Sequence, residues 1–74
     1  MKISLDDLTE GFEYLEDLRE SGRTNMFGAI PFMTSETKFN QDESKQIWSA
    51  WVKVYDRKTS AIDLALKVLS EAIL

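Results

Sequence analysis

Residues 21–33, SGRTNMFGAIPFM, constrain this chain more than any other stretch. They hold two of its three glycines and its one proline. A glycine that can take positive φ ends a helix, and a proline cannot sit deep inside one. Strongly apolar side chains (Met26, Phe27, Ile30) stand among these breakers, and periodic polar-apolar sequence flanks them. The pattern reads as one helix ending, a turn, and a short second helix whose apolar residues plug the space between longer ones. A short bent helix around residues 24–36 is expected. In the alternative, the helix restarts with Pro31 near its first position, where the missing amide costs nothing.

Upstream, Leu5, Leu8, Phe12, Leu15 and Leu18 recur at spacings of three and four, which marks one face of an amphipathic helix. Ser4 is placed to cap it, with Asp7 at the capping-box position and Gly22 as the residue that ends it. Gly11 costs this helix about 1 kcal/mol relative to alanine, which suggests that it serves close packing. Glu16 and Glu20 repel mildly at i, i+4, and Arg19 at i, i+3 from Glu16 offsets part of that.

Downstream, Phe39 anchors a polar loop, and Asn40 with Glu43 marks a third helix over residues 41–57. Its apolar residues fall in two adjoining stripes, Ile47, Trp51 and Val54 beside Trp48, Val52 and Tyr55. Ser60 and Asp63 form another capping pair, opening a fourth helix from residue 61 to the end in which ten of fourteen residues are apolar. A helix apolar over so much of its girth needs cover on two sides, and 74 residues supply little to cover it with. Ile62, Leu66, Leu69 and Ile73 are therefore the candidate self-association stripe. The expected architecture is all-α, one domain over residues 1–74, a small bundle of three to four helices.

Composition narrows the chemistry. The chain has no histidine and no cysteine. It thus lacks the commonest general base, a thiolate nucleophile and most transition-metal ligands. Absence of cysteine fits a reducing compartment. No phosphate loop, calcium loop or nucleophile elbow is present, and carboxylate pairs such as Glu13 with Asp17 read as a solvated face. No catalytic residue, cofactor or metal is expected. The sequence carries neither a secretory leader pattern nor an apolar run of the ~20 residues a membrane span needs.

Net charge is −4, unevenly spread. Residues 1–20 carry −5, residues 21–58 carry +2, and the rest −1. An acidic first helix repels phosphate, so nucleic acid is disfavoured as a partner. A short helix followed by a longer one still raises a helix-turn-helix regulator as the alternative, with Gln41, Ser44, Lys45 and Ser49 available near the start of helix three. Lys45, Lys53, Arg57 and Lys58 could touch phosphate, balanced by Asp42, Glu43 and Asp56. The aromatic row reads as core first and stacking platform second. Arg23, Asn25 and Gly28 flank the apolar pair Met26 and Phe27, and these five residues are the candidate protein-contact site.

The middle of the chain also resembles a group of small proteins encoded by bacteriophages and prophages. The resemblance rests on Tyr14-Leu15-Glu16-Asp17-Leu18-Arg19-Glu20-Ser21-Gly22, then Thr24-Asn25-Met26-Phe27-Gly28-Ala29 and Pro31-Phe32, with a looser match ending in Trp51-Val52-Lys53-Val54-Tyr55. It covers about residues 12–56 and leaves the apolar fourth helix outside. It implies a phage origin and a place of action in the bacterial cytoplasm, and it brings no activity with it. Together with the missing catalytic side chains, it leads to an expectation of an accessory protein, not an enzyme, that binds a host or phage protein. A DNA-binding regulator and a virion or assembly factor are the alternatives.

Overall fold

The computed structural model describes residues 3–22 and 28–73, with side chains described as far as Glu71. Among the described residues the chain forms four helices and no strand: α1 (Leu5–Ser21), α2 (Ala29–Glu36), α3 (Gln41–Val54) and α4 (Ala61–Ile73).

The helix ends follow local chemistry. The Ser4 hydroxyl accepts the Asp7 amide at 3.2 Å and so satisfies one of the free donors of the first turn of α1. Ile3 and Leu8, at the positions of a hydrophobic staple, are both buried. Gly22 closes α1 at φ 70°, a left-handed conformation that a side chain would strain. At α3 the capping box is complete. The Asn40 side chain accepts the Glu43 amide at 2.8 Å, and the Glu43 carboxylate accepts the Asn40 amide at 3.0 Å. At α4 the Ser60 hydroxyl accepts the Asp63 amide at 3.4 Å and donates to the Asp63 carboxylate at 3.0 Å.

One boundary differs from the sequence reading, and another falls partly outside the described residues. The described part of the second helix begins at Ala29, which places Pro31 third in the helix, among the first-turn amides that have no partner in any case. Residues 23–27, where the bent-helix expectation begins, lie outside the described residues. The third helix ends at Val54, not at 57. Tyr55 leaves it at φ −55° and ψ 131°, and the Asp56 carboxylate accepts the Lys58 amide at 2.9 Å to make a tight turn.

α1 is the central strut and touches each of the other helices, α4 most extensively. Leu8, Phe12, Leu15 and Leu18 enter one core with Ala29, Met33, Phe39, Ile47, Trp51, Leu64 and Ala65. Three polar ties run along its length. Near its start, Lys38 pairs with Asp7 at 2.6 Å and Glu10 at 3.4 Å. In the middle, the Tyr14 hydroxyl donates to Glu36. Near its end, the Arg19 guanidinium lies 5.1 Å from the centre of the Tyr55 ring and donates to its hydroxyl at 3.3 Å. Gly11 abuts Ile47 as Arg19 abuts Tyr55, eight residues further along each segment. α1 and α3 therefore run side by side in the same direction.

Gly11 explains that closeness. A Cβ at this position would stand 2.7 Å from Ile47 Cγ2, inside van der Waals contact, and Ile47 is fully buried. The glycine is thus a packing residue, as its place inside a helix suggests.

Candidate functional site

The core uses most of the aromatic row. Trp51 is 2% exposed, with its ring centre 4.4 Å from that of Tyr55. Trp48 and Tyr55 are half-buried against the same core. Trp51, at least nine-tenths covered, therefore offers no open face for a base to stack on. The Trp51 indole N–H finds no acceptor among the described residues. Val52, assigned by the sequence pattern to the apolar arc, is 45% exposed.

The first candidate site is largely beyond view. Arg23, Asn25, Met26 and Phe27 lie outside the described residues, and of the five only Gly28 is described, half-buried at the start of α2.

The second candidate site is on the surface. α4 buries Ala61, Leu64, Ala65 and Val68 along one line. Ile62, Leu66 and Leu69 are rotated roughly 100° from that line by the helical repeat. Ile62 is 49% exposed, Leu66 is 47% exposed, and Leu69 is half-buried. Ile73 ends the helix, and its side chain lies outside the described ones. Leucine and isoleucine side chains standing singly in solvent are ordinary, but successive ones at i, i+4 and i+7 form a ridge.

The opposite flank of α4 meets α3 across a groove of about 530 Å³. Ala50, Val54 and Val68 supply its apolar lining, Lys45 and Lys53 stand on the α3 edge, and Glu71 stands on the α4 edge. Gln46 and Ser49 complete the α3 wall. The sequence reading singled out Lys45, Lys53 and Ser49, placed Val54 in an apolar stripe, and gave Gln46 and Glu71 no role in a site. The latter pair belongs to the site only through the α3–α4 gap, which no local pattern encodes.

Ser44 is not part of any reading surface. It is fully buried, and its hydroxyl shares a hydrogen bond with Thr34 at 3.2 Å, while Thr34 donates to the Ile30 carbonyl at 2.9 Å. It locks α2 to α3.

The electrostatics are those of a solvated surface. Lys38, through its hydrogen bond, holds the Asp7 carboxyl below its ordinary value, and Asp7 in turn raises Lys38. Glu16 is raised, first by partial burial and then by the neighbouring Glu20, Asp17 and Glu13. Among the described residues no group of three or more acidic, histidine or cysteine side chains could hold a metal ion, and no helix is long and apolar enough to cross a membrane. No family model matches the chain, and no curated protein or solved structure shows significant similarity to it.

Proposed function

We propose that this protein acts by contact, as a small accessory protein that binds another protein through the apolar ridge of α4. The observation that carries the reading is the exposed Ile62 and Leu66 beside a helix face already buried by Leu64, Ala65 and Val68. An apolar ridge costs about 25 cal/mol for each Å² left in water, so a covering surface stabilises it. A second copy of the chain, through Ile62, Leu66, Leu69 and Ile73, covers the same ridge when no other partner is bound. The resemblance of residues 12–56 to phage and prophage proteins supports a setting in the bacterial cytoplasm during infection. There the partner is a host or phage protein, such as a defence component or an enzyme that it modulates. The reading requires no catalytic residue, metal or cofactor.

Affinity capture from infected cells, with wild type and Leu66→Glu as parallel baits, tests it. A stoichiometric protein recovered by wild type and lost by the variant is the expected result. Recovery of no stoichiometric protein counts against the reading.

A second reading has one observation in its favour. α2, a four-residue connection and α3 follow one another as in a helix-turn-helix, and Lys45, Gln46 and Lys53 are exposed on α3. A salt-sensitive shift of phage DNA would promote a DNA-binding regulator, and no binding at low salt would remove it. Finding the chain in purified virions would instead favour an assembly role.

A further inference from the structure

We infer that the groove between α3 and α4 is a docking site for an amphipathic helix of a partner protein, one whose α3-facing flank is acidic. The inference rests on the protein-binding reading above but concerns a different surface from the ridge, on the other flank of α4. The groove supplies both halves of helix-in-groove recognition. Its lining is Ala50, Val54 and Val68, short side chains that leave room for the larger apolar residues of an incoming helix. Its α3 edge carries Lys45 and Lys53, eight residues apart, or about 12 Å of helix rise. That spacing matches acids about two turns apart on a helix lying along the groove.

Charge selects the occupant. The chain has thirteen acids and nine bases, so a lysine has many acids to choose from. Lys38 has taken two of them. Lys45 and Lys53 pair with none among the described residues, though both face the same apolar groove. Two cations of like sign beside an apolar trough attract an anionic partner and reject a cationic one. Glu71 on the facing edge gives the occupant a polarity, with acids toward α3 and a basic or neutral flank toward α4. The acidic helix α1 of a second copy does not fit, because its apolar face is buried in its own core. Nucleic acid fits less well than a peptide, because phosphate gains nothing from Ala50, Val54 and Val68 and is repelled by Glu71.

A selection on the full chain tests this. The probe is a displayed library of helical peptides of about 14 residues, or ~21 Å, with a fixed apolar i, i+3, i+4, i+7 ridge and randomised flanks. The enriched peptides should carry acids along one flank about two turns apart. Their affinity, read by fluorescence anisotropy, should fall about tenfold or more for the Lys45→Glu, Lys53→Glu double variant and weaken with salt. Peptides with those acids changed to lysine should recover affinity for the double variant. Ser49→Trp, which fills the groove from a half-buried position, should abolish binding, with circular dichroism checking that each variant stays folded. Leu66→Glu should leave peptide affinity unchanged.

Failure to enrich any peptide, or enrichment indifferent to flank charge, overturns the inference. Peptides lost on Leu66→Glu but not on the lysine substitutions overturn it while leaving protein binding through the ridge standing. Duplex DNA that binds with the same lysine dependence and displaces the peptides overturns it in favour of the regulator reading.

Discussion

Gly11 decides how near α1 and α3 can come. Replacing it by alanine gains about 1 kcal/mol of helix propensity. The new methyl group would then meet Ile47, a stiff β-branched side chain with no exposed surface to move into. Overpacking of that kind costs about 1–3 kcal/mol. Gly11→Ala is therefore expected to lower stability in urea denaturation, and to become neutral or stabilising in an Ile47→Ala background, where the clashing atoms are gone. A second expectation concerns Asp7. Its carboxyl titrates below the ordinary value because Lys38 bonds it, so the stabilisation is present above the unfolded-state value and is lost as pH falls through the lowered one. Lys38→Met should return the Asp7 titration, followed by carbon-detected NMR, toward the usual carboxylate range. An unmoved titration would show that the pair is not formed.

Caps carry the element scale. The Asn40–Glu43 box is formed in both directions, and Asn40→Ala should cost about 1 kcal/mol, or roughly 4–8 °C in Tm for a chain of this size. A calorimetric scan with no shift would contradict it. Caps were legible in the sequence because each uses residues within one turn: Ser4 with Asp7, Asn40 with Glu43, Ser60 with Asp63. Gly22 was legible because few residues other than glycine accept its φ. The end of α3 was read three residues late because a tertiary contact competes with helix continuation at Tyr55. Its ring contacts both Trp51 and Arg19, the latter a residue 36 positions away in the chain. Ser44 was misread for a similar reason, since its partner Thr34 belongs to another helix. Asp56 two residues before Lys58 is the local turn signal at this end.

At the scale of the whole molecule, four short helices close one core and leave α4 with apolar surface on the flank away from α3. The Cα radius of gyration, 11.3 Å, is what about 74 residues packed as one body should give. The apolar excess of α4 was legible as composition. Which of its faces stayed open was not, because that depends on where α1 and α3 lie. The groove was illegible for the same reason, although the charge of its two lysines is plain in the sequence. Ile62 and Leu66 are about half exposed, so a charge at Leu66 leaves the core intact and alters only what the ridge can touch. Sedimentation velocity over a rising concentration series, with wild type and Leu66→Glu run together, is the most direct measurement of whether that ridge is an interface. The account predicts that wild type moves above its monomer mass of 8.5 kDa as concentration rises, while the variant, folded by circular dichroism, stays there. A wild type that remains at monomer mass at the highest concentration would contradict self-association through α4.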